Sequence, residues 1–499
     1  MRHVLAIDAG TTGVTCLMVR EDGHVSARGY REVTQFFPKP GWVEHDPDQI
    51  FEATLAAARD AIAGVDSPPV TIGLTNQRET AIVWNRDTGR PIHRAIVWQD
   101  RRTTGRCTEL REQHGARITA LTGLMVDAYF SATKFEWILG EHRSLSNGAR
   151  GRLALGTVDS WLIWKLTGGA VFATDPTNAS RTMLYDINAH TWSEELCGTF
   201  GVPIASLPDV RRSSGDFGVA TAEMFGREVP IRGVAGDQQS ALFGQGCWTA
   251  GTAKNTYGTG AFLLLNSGTN RPAAPAGLLA TIACDSVGAP AYALEASIFI
   301  AGAAVQWLRD SLGIIRQADE TESLAASLAG NDGVYFVPAL TGLGAPHWEP
   351  DARGTIVGLT RGSTRAHLAR AALEAMAYGT ADVLAQMATA SGASFPRLRV
   401  DGGATSNDWL MQFQADILGV PVERPDCIET TALGAAGLAG IASGVWATAE
   451  EFIARRKFSS FDPRMSRDEV AKLMRGWHRA VDAATHWAKV PVTSEAGDP

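Results

Sequence analysis

The chain has 499 residues, of which 45% are hydrophobic and 20% charged, and its formal net charge is −8. This length exceeds one hydrophobic core and predicts two or three domains, while the negative charge, without any Lys/Arg run, excludes a nucleic-acid-binding surface. No stretch reaches the roughly 18 apolar residues of a membrane-spanning helix, and the six scattered cysteines include no C-x-x-C pair. The composition therefore predicts a soluble cytoplasmic protein with reduced thiols, without membrane insertion or a nucleic-acid partner.

Three hairpin strands are predicted at the start of the chain, over residues 3–8, 14–20 and 25–32. The turn between the first two, Ala9-Gly-Thr-Thr-Gly13, brings backbone N–H groups and two hydroxyls together. Such a cluster suits phosphate oxygens. A plain hairpin turn explains the same residues, so this stretch alone leaves both interpretations open.

Strands and helices alternate along the rest of the first half. Helices are predicted over 47–63, 101–113, 131–140, 158–166 and 193–200, and strands over 70–75, 81–84, 92–99 and 153–156. Asp46 is expected to cap the first helix, since Pro47 suits its first position. This alternation is typical of an α/β domain.

An acidic residue marks the middle of the chain. A strand over 229–235 leads through Gly236 to Asp237, and a short helix is predicted over 238–243. A carboxylate at this junction can be aimed into a cleft as a general base, and the helix dipole favours its ionised form. The alternative is that Asp237 only caps the helix.

The second half repeats the opening pattern, with a strand over 252–256, the turn Tyr257-Gly-Thr-Gly260 and a strand over 261–265. This repetition predicts an internal duplication with the ligand between the copies. The remaining predicted elements are helices over 296–311, 315–328, 363–389, 408–418, 430–443 and 466–488, and a strand over 398–400. Residues 489–499 are predicted to be a disordered tail.

Several of these features suit phosphoryl transfer. Asp401-Gly-Gly403 predicts a glycine-lined surface for a nucleotide, with Asn407 nearby. Asp8 and Asp237 are two carboxylates suited to Mg²⁺. Glycine-rich turns, a metal and a carboxylate base are the working parts of phosphoryl transfer. The chain has neither a P-loop motif nor the protein-kinase motifs.

The sequence resembles the FGGY carbohydrate kinases from about residue 3 to about residue 487, and within them the members that phosphorylate glycerol. The segments that carry the resemblance are 40–47, 75–80, 95–103, 236–239, 254–260 and 342–346. The resemblance implies an α/β fold of two duplicated actin/hexokinase-like (ribonuclease H-like) domains, with a cleft that closes over ATP. We place these domains at residues 1–246 and 247–488.

The resemblance implies a glycerol site in which Asp237 is the general base. The other residues expected to hydrogen-bond or pack against glycerol are Arg78, Glu79, Trp98, Tyr129, Gln238 and Phe262. A small triol buries little apolar surface, so its recognition must come from charge-assisted hydrogen bonds. Arg78 and Glu79 could instead form a surface ion pair. Trp98 and Phe262 could instead belong to an ordinary core.

ATP and Mg²⁺ are the implied cofactors. The residues expected to line ATP are Thr11, Thr12, Gly13, Thr259, Gly302, Gln306, Gly403 and Asn407. Asp8, through water, and Asp237 are expected to hold Mg²⁺. The implied reaction is in-line transfer of the γ-phosphoryl group to glycerol, giving sn-glycerol 3-phosphate, in a homodimer or homotetramer.

The chain departs from the family pattern in a few places. Gly13 and Thr15 stand where many members have serine and arginine, which predicts a lower rate or ATP affinity. Ala128 replaces a usual proline and is expected to loosen Tyr129. Residues 221–228 lack a glycine-rich basic segment, and Glu223 stands near the place of a phosphorylatable histidine. We therefore expect neither fructose 1,6-bisphosphate inhibition nor histidine phosphorylation.

Two other functions fit parts of the sequence. Another FGGY polyol or sugar kinase would share the fold, but would not need the full set of glycerol residues. A nucleotide-binding regulator without kinase turnover would explain the altered turn at Gly13. It would not need both Asp8 and Asp237, and both are present.

Overall fold

The computed structural model describes residues 1–144, 148 and 151–489. The predicted disordered tail lies outside the described residues, except for Lys489, which ends the last helix. The helices are Pro47–Ala63 (α1), Thr104–Thr122 (α2), Ser131–Glu141 (α3), Val158–Leu166 (α4), Pro176–Ala179 (α5), Glu194–Thr199 (α6), Ala222–Phe225 (α7), Asp237–Gly244 (α8), Gly302–Asp310 (α9), Glu320–Ala326 (α10), Arg365–Ser391 (α11), Asp408–Leu418 (α12), Thr430–Ala442 (α13), Ala449–Ala454 (α14) and Arg467–Lys489 (α15).

The strands fall into two main sheets, a small three-stranded sheet (β4-β5-β8) and several short pairs. They are His3–Ala9 (β1), Gly13–Arg20 (β2), Val25–Glu32 (β3), Gln35–Phe36 (β4), Glu44–His45 (β5), Pro69–Asn76 (β6), Ile82–Asn85 (β7), Ala95–Ile96 (β8), Leu153–Gly156 (β9), Ala173–Thr174 (β10), Tyr185–Asp186 (β11), Thr191–Trp192 (β12), Asp209–Val210 (β13), Val219–Ala220 (β14), Val229–Gly236 (β15), Ala253–Tyr257 (β16), Ala261–Gly268 (β17), Leu279–Cys284 (β18), Pro290–Ile298 (β19), Tyr335–Val337 (β20), Thr355–Val357 (β21), Leu398–Asp401 (β22), Val422–Pro425 (β23) and Phe458–Phe461 (β24).

The first sheet has the order β14-β15-β6-β1-β2-β3. Strands β1, β2 and β3 are antiparallel, whereas β6 and β15 run parallel to β1. Both faces of β1 are covered, because its alternate residues Leu5 and Ile7 pack toward α1 while Val4 and Ala6 pack toward α13. The opening helix begins as predicted: Asp46 caps it through the Asp48 N–H, and Pro47 occupies its first turn.

The second sheet repeats this arrangement, with the order β18-β19-β17-β16-β22-β23-β24. Strands β16, β17 and β19 are antiparallel, and β22 and β23 run parallel to β16. Each half therefore contains a run of antiparallel strands, three in the first sheet and four in the second, next to two parallel ones. The predicted duplication and the α/β class are confirmed. The proposed domain boundary at 246/247 falls between α8 and β16.

Helix α13 joins the two halves. It belongs to the second half by sequence, but it packs against α8 and against β1, β6 and β15 of the first sheet. The approach is close enough to require glycine: a β-carbon on Gly434 would lie 1.8 Å from the backbone oxygen of Ser240. This contact holds α13 directly against α8, the helix that begins at Asp237.

Some predicted elements are wrong. The stretch 296–311 is not one helix, because β19 continues to Ile298 and α9 starts only at Gly302. Residues 296–298 pair with β17 instead of forming a helix. The predicted strand 92–99 shrinks to Ala95–Ile96, since the chain turns where the Asp100 N–H bonds to the Val97 carbonyl oxygen. Helix α2 begins at 104 and continues to 122, and α10 covers only part of 315–328.

Candidate active site

Asp237 lies where β15 ends and α8 begins. Gly236 occupies the capping position, so Asp237 is the first helical residue and does not cap the helix. Its carboxylate accepts a 2.6 Å hydrogen bond from the Gln238 N–H and lies 3.0 Å from Arg78 Nε. The side chain remains 31% exposed, so one edge of the carboxylate is open to a ligand.

Burial raises the pKa of Asp237, and Arg78, the Gln238 N–H and Lys254 only partly offset this effect. The expectation that the helix dipole would favour the ionised form is therefore outweighed by desolvation. A carboxylate with a raised pKa is a better proton acceptor than an ordinary surface aspartate.

Arg78 belongs to a buried ion network that crosses between the two halves. Its Nη1 and Nη2 donate to the two oxygens of Glu295 on β19, at 2.6 and 3.1 Å. Arg181 donates to Glu295 at 3.0 Å and to Glu79 at 2.7 Å. The side chains of these residues are at most 2% exposed. The interpretation of Arg78 and Glu79 as a surface ion pair is therefore wrong.

The charges in this network are balanced by close contact. Burial opposes the charged form of Glu295, but Arg181 and Arg78 outweigh it and lower the pKa of Glu295 to about 2. Glu79 has a φ of 60°, a conformation rare outside glycine, and the Thr80 N–H donates to the Arg78 carbonyl at 2.7 Å across it. The tight turn directs Arg78 and Glu79 into the same buried region.

Trp98, Tyr129 and Phe262 line a cavity of about 420 Å³ together with Glu295. The rings of Trp98 and Tyr129 meet edge to face with centroids 5.6 Å apart. Trp98 Nε1 also donates a 2.9 Å hydrogen bond to Thr11 Oγ1, which connects this cavity to the turn at residues 9–13. Asp237 and Gln238 do not line the cavity, but Asp237 reaches Glu295 through Arg78.

The Tyr129 backbone is held on both sides in spite of Ala128. The Asp127 carboxylate accepts from the Tyr129 N–H at 2.8 Å, and Lys134 Nζ donates to its carbonyl at 2.6 Å. These contacts oppose the loosening expected from the replaced proline.

Gln238 is oriented by a buried lysine. Lys254 Nζ on β16 donates to Gln238 Oε1 and, at 2.7 Å, to Thr256 Oγ1. Because the amide oxygen is occupied, the Gln238 side chain offers its N–H groups to other partners. Lys254 has no exposed surface, and burial lowers its pKa although Asp401 and Asp237 oppose the change.

A second cavity, of about 390 Å³, lies in the second half. Its lining includes the predicted nucleotide residues Thr259, Gly302, Gln306, Gly403 and Asn407. The amide of Asn407 is partly engaged, since its oxygen caps α12 through the Leu410 N–H. The predicted residues Thr11, Thr12 and Gly13 do not line this cavity and lie at the opposite turn, where the Gly10 N–H bonds to the Gly13 carbonyl oxygen at 3.0 Å.

Asp8 and Asp237 could together hold a divalent cation. Burial and the neighbouring Asp237 and Glu429 carboxylates raise the pKa of Asp8 to about 8. A cation would relieve this repulsion, and Mg²⁺ is often held by only one or two carboxylates plus the phosphates of a substrate. Within the described residues there is no group of three or more His, Cys, Asp or Glu suited to a metal. The pair fits a phosphate-bound Mg²⁺ better than an all-protein metal site.

The whole chain matches known carbohydrate kinases. Models of the FGGY family of carbohydrate kinases match residues 3–244 (N-terminal domain) and 253–443 (C-terminal domain). The chain belongs to the FGGY family of carbohydrate kinases. Among FGGY kinases, the glycerol kinase of Dechloromonas aromatica is 53% identical, covering 98% of both chains, and that of Petrotoga mobilis is 52% identical, covering 97% of this chain and 99% of the other.

Solved FGGY kinases share the fold. The crystal structure of Plasmodium falciparum glycerol kinase with ADP has a TM-score of 0.92 at 35% identity, covering 97% of this chain and 98% of that one. A xylulose kinase from Lactobacillus acidophilus has a TM-score of 0.87 at 20% identity, covering 98% and 99%, which supports the fold alone. In the described part of this FGGY kinase, none of the helices has the length and apolarity needed to span a membrane.

Sequence reasoning missed three charged residues of this FGGY kinase site: Arg181, Lys254 and Glu295. One signal for Glu295 was available, because it is the only charged residue in the otherwise apolar or neutral strand Pro290–Ile298. A buried acid in such a strand requires a partner. Lys254 lies within the segment 254–260 that carries the family resemblance, but the sequence alone indicates no role for it. The residues around Arg181 give no local signal that it is part of the site.

Proposed function

We propose that this chain is an ATP-dependent glycerol kinase that produces sn-glycerol 3-phosphate. The observation that carries the proposal is the partly exposed carboxylate of Asp237, held 3.0 Å from Arg78 near a cavity with polar and aromatic lining. The near-complete match to proteins named glycerol kinase supports glycerol as the acceptor. The relative that was crystallised with ADP supports ATP as the donor.

Asp237 takes the proton of a terminal hydroxyl as that oxygen attacks the γ-phosphorus. Its raised pKa strengthens it as an acceptor, and Arg78 keeps the carboxylate oriented. Gln238, with its oxygen held by Lys254, donates an N–H to the substrate. Trp98 and Phe262 pack on the carbon chain, and the hydroxyl of Tyr129 provides a further hydrogen bond.

The nucleotide spans the turns at residues 9–13 and 257–260, which we call the first and second phosphate turns. Its adenosine occupies the cavity lined by Thr259, Gly302 and Gly403, and its terminal phosphates point toward residues 9–13. Mg²⁺, held by Asp8 and Asp237, would neutralise charge on the transferring group. The protein itself supplies positioning and exclusion of water, so no covalent intermediate on a side chain is needed.

The test is ADP formation from Mg-ATP with glycerol, dihydroxyacetone, xylulose, gluconate or no acceptor. We expect glycerol-dependent turnover that falls by about 10²–10⁴-fold in Asp237→Asn, because the general base is lost. Asp87→Asn, which changes an exposed loop carboxylate, is the matched control. Turnover with a longer sugar alone would refute glycerol as substrate, and acceptor-independent hydrolysis would refute the kinase assignment.

We also propose that the enzyme is cytoplasmic and forms a homodimer or homotetramer. Support comes from its family and from the cysteine pattern of its sequence. Sedimentation equilibrium of the purified chain tests the assembly, and a monomer at micromolar concentration would contradict it.

A further inference from the structure

The first phosphate turn ends at Gly13, and the space where a side chain would begin there is taken by Tyr30. A β-carbon built on Gly13 would lie 2.6 Å from the Tyr30 hydroxyl oxygen and 2.6 Å from the Arg31 carbonyl oxygen. Contacts this short do not occur for real β-carbons, so only glycine leaves Tyr30 room at this point. The phenol therefore reaches the backbone of the turn itself.

Tyr30 faces the cleft together with Asp8. In the register of the first sheet, Asp8 on β1 is opposite Thr15 on β2, and Thr15 is opposite Tyr30 on β3. Residues opposite one another in antiparallel strands project from the same face. The alternate residue Arg31 projects from the other face, where it pairs with Asp60 on α1 at 2.5 Å.

A salt bridge between Arg28 and Glu429 shows which residues lie against this face of the sheet. Arg28, two residues before Tyr30 and on the same face, lies 3.3 Å from Glu429, just before α13. The Arg28 guanidinium is also 5.6 Å from the centre of the Tyr30 ring. Arg28 thus connects the ring to Glu429, just before the start of α13.

The Tyr30 hydroxyl is available to a ligand. Tyr30 is 39% exposed, and the hydroxyl has no hydrogen-bond partner within the part of the chain that the structure describes. A phenol beside two hydroxyls and several backbone N–H groups adds one more donor to the turn. An arginine close to the ring makes this donor more suitable for an anion.

We propose that Tyr30 binds the nucleotide phosphates, its hydroxyl donating a hydrogen bond to a phosphate oxygen held at residues 9–13. This role rests on the proposed kinase function, since it needs a nucleotide in the cleft. Tyr30 takes no part in proton transfer. It replaces, from a neighbouring strand, the side-chain contact that Gly13 cannot make.

The experiment compares ADP with adenosine, measured by calorimetry on the full chain and on Tyr30→Phe, which removes only the hydroxyl. The dissociation constant of ADP is expected to rise by about five- to tenfold, because a hydrogen bond to a charged group is lost at a partly solvated site. Adenosine affinity should not change. In turnover assays KM for ATP rises similarly, whereas KM for glycerol stays the same.

Tyr335→Phe is the matched control, because its hydroxyl packs against Gly476 on α15. It should leave both affinities unchanged, and thermal melts confirm that both variants are folded. An unchanged ADP affinity in Tyr30→Phe, or an equal loss for ADP and adenosine, would overturn the proposal. Because binding needs no turnover, wild-type protein that bound ADP without phosphorylating glycerol would refute the proposed substrate and leave Tyr30 testable.

Discussion

Glu295→Gln tests whether the buried ion network positions Arg78. The glutamate accepts two hydrogen bonds from Arg78 and one from Arg181, and it is wholly buried. Glutamine keeps the shape but removes the charge, and it turns an amide N–H₂ toward a guanidinium that can only donate. The two buried arginines then keep only the carboxylate of Glu79, 2.7 Å from Arg181, and that of Asp237, 3.0 Å from Arg78.

The magnitude follows from burial. Removing one partner of a buried ion pair costs about 3–5 kcal/mol. With an unfolding entropy of about 2.1 cal/mol/K per residue, 499 residues give about 1 kcal/mol/K. The melting temperature should therefore fall by about 3–5 °C, because the network joins the two halves. A misplaced Arg78 should also lower kcat/KM for glycerol by about 10²-fold.

The assay combines a thermal melt with steady-state kinetics. Glu374→Gln is the matched control, because Glu374 is equally buried and accepts from Arg370 at 2.7 Å and from Asn331 and Tyr378 at 3.0 Å. It should lower the melting temperature but leave kcat/KM for glycerol unchanged. If Glu295→Gln affected only stability, as the control does, the positioning role of the network would be refuted.

Two further predictions concern pH. In Lys254→Met the nearby positive charge that lowers the pKa of Asp237 is lost, so the acid limb of kcat/KM should move to higher pH, and a shift to lower pH would contradict this. Burial lowers the pKa of His45 from 6.5 to about 4, so the unfolded chain binds a proton more readily between these pH values and stability falls as pH falls through them. At pH 5 the free energy of unfolding is lower by about 2 kcal/mol because of His45. In His45→Gln this contribution is absent, so the drop in melting temperature between pH 7 and pH 5 should be smaller by about 2 °C. An equal drop in both proteins would show that His45 does not titrate in this way.

The elements that the sequence predicted well are those with local signals. Helix α1 has its cap and its proline in adjacent positions, and α12 begins and ends at the predicted residues 408 and 418. The prediction of one helix over 296–311 failed because the alanines of this stretch favour a helix locally. In the structure, the residues up to Ile298 pair with β17 in the sheet. Pairing with a strand that lies far away in the sequence leaves no local signal.

The candidate site shows the same limit. Asp237 could be found because a strand, a glycine and a helix surround it in the sequence. The partner of Arg78, in contrast, lies 217 residues further along the chain. The positions of the Tyr30 hydroxyl and of Lys254 likewise depend on strand register and on packing between the halves, which no single sequence window contains.

The packing of α13 against the first sheet has a consequence for the synthesis of the chain. In the folded protein α13 covers one face of that sheet, including Val4 and Ala6. During synthesis this face stays exposed to solvent until residues 430–442 leave the ribosome. At about 5–20 residues per second, the roughly 200 residues made after α8 take about 10–40 s. During that interval the first half exposes an apolar surface that only the second half can cover. We therefore expect the nascent chain to need chaperone protection and neither half to be stable as a separate fragment.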